Sequence, residues 1–196
     1  MGKKEIQEER MKSYFIDAAK KIVREKGVGE LTVKKVATRA GYAPGTLYNY
    51  FNDLNELLFY SILEFFQECK EYVLKEIESS TNPKEKVFDS AKAYSCYFIE
   101  NPNIYQLAFL ENVAIPEGEY NEKGFVPEIV KITAEFLKQS AEQGFIKVND
   151  IEIVLGLIAN SIHGNLLFYI KRRGANLSKD EVIEKIMTEV RYVINR

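Results

Sequence analysis

The tightest local constraint in this chain is the Ala40-Gly41 turn, which joins two short helical patterns and is followed by Pro44 three residues later. Thr32 is a good N-cap for a helix whose apolar positions Val33, Val36, Ala37 and Ala40 recur at three- and four-residue steps. Gly41 tolerates the left-handed conformation that closes such a helix without a Cβ penalty. A second helix can then start at once, because Pro44 suits a first turn, and Leu47 with Phe51 at i,i+4 gives it an inward face. Asp53 with Glu56 makes a capping-box-like start for a third, longer helix. Residues 31–58 therefore read as helix, turn, helix, then long helix.

The recognition segment leaves Gly45, Thr46, Tyr48, Asn49 and Tyr50 pointing away from its inward face. Small residues at Ala43 and Gly45 permit close approach to a phosphodiester. The hydroxyls of Thr46, Tyr48 and Tyr50 can donate to phosphate, and Asn49 can meet a base edge or a phosphate. With Thr32, Lys34, Lys35, Arg39 and Tyr42 they form the candidate DNA-binding set. A helical pair with no nucleic-acid role, holding Tyr48, Tyr50 and Phe51 in a core, is the competing reading. The segment resembles the DNA-binding signature of the tetracycline-repressor (TetR) family, whose members carry a Thr-led helix, an Ala-Gly turn and a G-T-L-Y-x-Y-F recognition helix. Here these elements stand as Thr32, Ala40-Gly41 and Gly45-Thr46-Leu47-Tyr48-Asn49-Tyr50-Phe51. The motif spans about a quarter of the chain. After Asp53 the family commonly places a phosphate-touching Lys and then an acid, whereas this chain has Leu54 and Asn55.

Charge is distributed in the same sense. Residues 1–52 hold eleven Lys or Arg against six acids, a net of +5, and the chain nets −2, leaving −7 for residues 53–196. A modestly basic reader joined to an acidic remainder predicts binding to polyanions that weakens with salt; a merely solvated helical surface is the plainer alternative. With 46% hydrophobic and 12% aromatic residues the chain can bury a substantial core. No N-terminal leader pattern is present, and the apolar window from Ile151 to Ile170 is interrupted by Glu152, Asn160, Ser161, His163 and Asn165. That predicts a cytoplasmic protein with no membrane partner and a buried helix over that window. Cys69 and Cys96 lack ligand spacing and read as small buried hydrophobes, with a redox-sensing pair as the alternative. A single His has no neighbouring nucleophile motif, metal cluster or phosphate loop, so no catalytic residue, metal or cofactor is expected and an enzyme is disfavoured.

Helical periodicity continues to the C-terminus. A striped helix runs from Lys4 to about Lys26, and one of some 25 residues follows from Asp53 to about Ser79. Others are expected from Pro83 to Glu100, from Pro102 to near Val113, from Glu128 to Gly144 and from about Asp150 to Arg173, with a last one opened by the Ser178/Glu181 capping box. Ala114 to Pro127 reads as a loop and no strand-like alternation is found. The expected fold is all-α with about nine helices. A three-helix helix-turn-helix DNA-binding domain occupies residues 1–52, and a helical ligand-binding and dimerisation domain occupies residues 53–196.

The helix from Asp150 is apolar on two faces, Ile151, Leu155, Ile158, Ile162, Leu166 and Tyr169 on one, Val154, Leu157, Ser161, Gly164 and Phe168 on the other. Two faces need two covers, so Leu157, Ser161, Gly164 and Phe168 are expected at a homodimer seam, joined by Ile183, Ile186, Val190 and Val193 of the last helix. The family resemblance implies the same arrangement. A dimer would set two recognition helices roughly 34–36 Å apart on a near-palindromic double-stranded operator. Asn160 and His163 are expected to anchor the polar end of an otherwise hydrophobic or aromatic small-molecule effector, in a cavity walled by Phe65, Tyr94, Tyr97, Phe98 and Phe109. The expectation is a transcriptional regulator, a repressor by family analogy; an effector-independent architectural or division-control protein is the alternative.

Overall fold

The computed structural model of the chain describes residues 2–116, 126–146, 151–171 and 176–195. Among these it holds nine α-helices and one 3-10 turn, with no strand. The helices are α1 (Lys3–Lys26), α2 (Val33–Ala40), α3 (Pro44–Leu47), α4 (Leu54–Glu76), α5 (Pro83–Glu100), α6 (Pro102–Leu110), α7 (Glu128–Glu142), α8 (Ile151–Ile170) and α9 (Lys179–Ile194). Most of the expected Ala114–Pro127 loop, and the proposed ends of α8 at Asp150 and Arg173, lie outside the described residues.

Two compact units result. The first comprises Met1–Phe65 and Asn101–Phe125, so the body that holds the reader is larger than the 1–52 segment. In it α1 packs on α2 and on α6, and α2 on α3. Phe15, Val36, Ala37, Leu47 and Phe51 form the core beneath the turn, all nearly or wholly inaccessible. Burying a side chain such as Phe15 or Leu47 contributes about 1.5–3 kcal/mol each, enough to hold so short a pair of helices in one arrangement. Phe15 is the hub, its ring lying against Tyr42, Tyr50 and Phe51. Gly27 ends α1 at φ 83 and Gly41 ends α2 at φ 84. Thr32 caps α2, its side chain accepting from the Lys35 N–H.

The second unit comprises Phe66–Glu100 and Val126–Arg196. Here α5 is central, packing on α7, α8 and α9, and α8 packs on α9. Val87, Ala91, Phe98, Leu137, Ile158, Ile162, Leu166, Ile186 and Val190 fill its interior. Ser178 and Glu181 form the expected reciprocal cap at the start of α9. Helix α4 runs unbroken from the first unit into the second.

Three boundaries differ from the sequence reading. The recognition helix was expected to reach Phe51 but ends at Leu47. Beyond it the Asn49 and Tyr50 N–H groups donate to Thr46 and Leu47 carbonyls in i→i+3 turns, and Phe51 shares the Leu47 carbonyl. Such tightening lets Phe51 turn inward after so few residues. Helix α4 stops at Glu76 rather than Ser79, unwinding through turns at Glu78 and Ser80, and α6 stops at Leu110 rather than near Val113.

Candidate nucleic-acid interface and interior cavity

The reader surface is built outward from Leu47. That side chain is fully buried, and its neighbours along the chain are left at the surface: Thr32, Lys34, Lys35, Arg39, Ala43, Gly45, Tyr48 and Asn49 are exposed, while Tyr42, Thr46 and Tyr50 are half-buried. Tyr48 stands 56% exposed, unusual for so large a ring on a folded surface. The rings of Tyr42 and Tyr50 lean on Phe15, so both side chains are held in place by the core. No Cβ-blocking atom lies within 4 Å of Gly45, which leaves that face open to a close-lying backbone.

Two of the expected DNA-facing cations are engaged within the chain. Arg39 donates through both terminal nitrogens to the two carboxylate oxygens of Glu25, at 2.8 and 2.5 Å, and Lys35 donates to Glu30. These hydrogen bonds hold the Glu25 and Glu30 carboxyls below the usual carboxylate range. Both pairs are solvent-exposed, so each is weak enough to be exchanged for a phosphate. With Lys26, Lys34, Thr32 and Thr38 the two cations line an open basic groove. The acids were not predictable from periodicity, since Glu25 lies fourteen residues from its partner. Where the family's phosphate-touching Lys stands, Leu54 is half-buried, and the Asn55 side chain instead ties down a distant strand of loop by donating to the Ala114 carbonyl and accepting from its N–H.

The second unit contains a cavity of about 60 Å³ between α5, α7 and α8. Its wall is made by Ser90, Ala91 and Tyr94 of α5, Ile129, Val130 and Thr133 of α7, and Leu155, Ile158, Ala159, Ile162 and His163 of α8. Tyr94 and His163, both expected as ligand residues, meet there: the Tyr94 hydroxyl is 3.3 Å from His163 Nε2 and the rings pack edge to face. Burial pushes the His163 imidazole below its ordinary pKa. Phe98 packs behind Tyr94, and Tyr97 is buried beside it with its hydroxyl donating to Glu68. The other expected ligand residues are elsewhere. Asn160 is exposed on α8, because three positions before His163 is far enough around the helix to leave the wall, and Phe65 and Phe109 belong to the first unit. Ser90, Thr133 and the α7 wall were not foreseen. Their one sequence signal is Ser90 four residues before Tyr94, on the same helix face.

Residues 15–60 match the model of the bacterial regulatory proteins of the tetR family, and this interval spans Phe15, the Ala40-Gly41 turn and the whole of α3. That segment of the chain is similar to the DNA-binding domain of the tetR family. It is 26% identical over 153 residues to the fatty acid metabolism regulator protein of Bacillus subtilis (strain 168), a match spanning 76% of this chain and 77% of that protein. The fold matches that of the transcriptional regulator FadR from Bacillus subtilis in complex with stearoyl-CoA, with a TM-score of 0.68 at 19% identity over 93% of this chain and 97% of the other. It also matches RolR in complex with resorcinol, with a TM-score of 0.71 at 15% identity over 97% of this chain and 90% of the other. By that family match and by its relatives the chain is a DNA-binding transcriptional regulator rather than an enzyme.

The outer face of α8 completes the picture of the second unit. Ile153, Leu157 and Phe168 are 60%, 49% and 56% exposed, and Tyr192 of α9 is 61% exposed. The window read as a buried helix is thus half in and half out: Ile158, Ile162 and Leu166 are inside, while the opposite stripe is bare, and the helix is long and apolar enough to cross a membrane by length and composition. Of the expected seam residues on α8, Leu157 and Phe168 are exposed and Ser161 and Gly164 half-buried. Ser161 and Asn165 both donate to the Glu189 carboxylate of α9. On α9 the expectation needs correction. Ile186 and Val190 are wholly inaccessible within the regulator's own core, alongside Val182, Met187 and Ile194, and only Ile183 and Val193 are half-buried. The sequence supplies one apolar stripe on α9, and α5 and α8 already cover its centre.

Proposed function

We propose that this regulator binds a near-palindromic duplex operator as a homodimer and leaves it when a largely apolar small molecule enters the α5/α7/α8 cavity. The observation that carries the reading is the surface of α3 and its following turn. A four-residue helix anchored by one fully buried leucine, with the turn that follows it, offers Tyr48 and Asn49 to solvent and leaves Thr46 half-exposed, which has no folding purpose and fits groove contact. The exposed large apolar side chains Ile153, Leu157 and Phe168 of α8 and Tyr192 of α9 support a second copy as their cover, since a soluble chain seldom leaves several such groups to water. A cytoplasmic location and the 1–52 and 53–196 division of labour belong to the same reading.

Effector control is supported by the cavity and by the relatives. Bacillus subtilis FadR was solved with stearoyl-CoA and RolR with resorcinol, both ligands with an apolar or aromatic body. A half-open space of about 60 Å³ is smaller than the roughly 150 Å³ that encloses a benzene ring, so enclosing an effector fully requires α7 and α8 to part. That requirement gives it unequal affinity for two states, the condition for any effector to act. Helix α4, continuous between the units, is the element proposed to carry the change to the reader. Selection of bound sequences from random duplexes tests the core claim. Recovery of a two-fold repeated site is expected, and no enrichment over input at low salt would refute it.

A further inference from the structure

One group in the cavity wall is not explained by packing. Ser90 is 2% exposed, and its Oγ has no hydrogen-bond partner. Three other buried helical serines behave differently: Ser61, Ser95 and Ser140 each donate to the carbonyl four residues back, on Leu57, Ala91 and Phe136. That back-bond is the ordinary fate of a hydroxyl inside a helix, because it satisfies the group locally. Ser90 forgoes it and lines the cavity. A buried hydroxyl without a partner destabilises a fold, and alanine would fill nearly the same space without that cost. A hydroxyl kept here therefore has its use in a bound state.

Its surroundings define the ligand. Tyr94 follows one turn later on the same helix with its hydroxyl beside His163 Nε2, so Ser90, Tyr94 and His163 form a polar corner facing Ile129, Leu155 and Ile162. Among the lining residues none is Lys, Arg, Asp or Glu. We propose that the seated end of the effector is uncharged and carries one hydroxyl or carbonyl oxygen that hydrogen-bonds to Ser90 Oγ, so that this regulator answers to neutral phenolic or alcoholic compounds and refuses free carboxylates. The proposal rests on the reading of the cavity as the effector site. A carboxylate entering it would lose its water with no cation to replace it, and burial keeps the His163 imidazole in its neutral form. A neutral hydroxyl brings both a donor and an acceptor, either of which satisfies serine.

Calorimetric titration of the full chain with p-cresol, toluene and p-toluate tests this without any mutation. The three share a methyl-substituted ring and differ in one group. Expected is p-cresol binding about five- to tenfold tighter than toluene, the ratio that one neutral hydrogen bond supplies, with p-toluate not binding at a hundredfold higher concentration. In Ser90→Ala the cresol preference shrinks to less than about twofold, toluene affinity is kept, and the ligand-free protein melts at an equal or higher temperature. Equal binding of cresol and toluene by the parent, p-toluate binding as tight as cresol, or an intact preference in Ser90→Ala would overturn the proposal and leave the cavity reading standing. Binding of none of the three to the parent would overturn both.

Discussion

At Tyr48 a large side chain is left to solvent beside the fully buried Leu47, and the contrast between such neighbours separates function from folding. Replacing Tyr48 by alanine should lower operator affinity by about fivefold or more, the loss expected for one phosphate or groove contact, while leaving the melting temperature unchanged. Fluorescence anisotropy on the selected duplex beside a thermal melt reads both quantities. His163 makes a different prediction. It is the one histidine in the chain and burial depresses its folded-state pKa, so the folded state binds fewer protons than the unfolded state. Its contribution is fully present above the unfolded value of about 6.5 and is lost as pH falls below that value toward the depressed folded one. The denaturant midpoint should therefore drop between pH 7 and pH 5.5, and His163→Gln should flatten that part of the profile. The carboxyls held low by ion pairing or capping, such as Glu25 and Glu181, lose their contribution only below the usual carboxylate range and do not mask it. Of these residues, the exposed hydroxyls of the reader could be recognised from sequence, because the buried positions on either side of them repeat at helical spacing. Ser90 and the Glu25 and Glu30 partners could not, because what each group touches depends on which helices meet, and no local pattern records that.

Helices as units were legible because capping chemistry is local. Thr32, Gly41 and the Ser178/Glu181 pair each mark an end where the structure has one. The 3-10 turn at Val28–Glu30 and the early stop of α3 were not, since the first depends on how the turn meets α1 and α6 and the second on how Tyr50 and Phe51 close over Phe15. The phase of α9 was misjudged for a related reason: a heptad-like spacing at 183, 186, 190 and 193 describes a stripe but does not say whether the chain itself or a second copy covers it. Gly41 offers a test of the turn as an element. A Cβ there would meet nothing within 4 Å, yet the backbone sits at φ +84, so Gly41→Ala carries conformational strain alone. It should cost about 1 kcal/mol of unfolding free energy in chemical denaturation. A cost near zero would mean that the turn relaxes, and DNA affinity would then fall instead.

For the whole molecule, the exposed stripe on α8 sets association. Phe168 is more than half exposed in the single chain, so Phe168→Glu should leave the fold intact but place two like charges and a lost aromatic contact at a symmetric seam. Sedimentation should show monomers at micromolar concentration, and binding to a two-fold site should weaken by about tenfold or more. An unchanged dimer would move the seam elsewhere. The fold class and helix count followed from periodicity and punctuation. The grouping of helices into bodies did not, because α6 is separated from α1 by some 80 residues of sequence, and its packing on α1 and on the 3-10 turn, with the Asn103 side chain donating to the Arg24 carbonyl, brings it to the reader. That contact governs any attempt at transplantation. A chimaera cut once, after residue 52 or after residue 65, would take the recognition helix to a new host but leave behind Pro102–Leu110, exposing the side of α1 which that segment shields. Portable versions of this reader will have to carry a piece from the middle of the gene as well as its beginning.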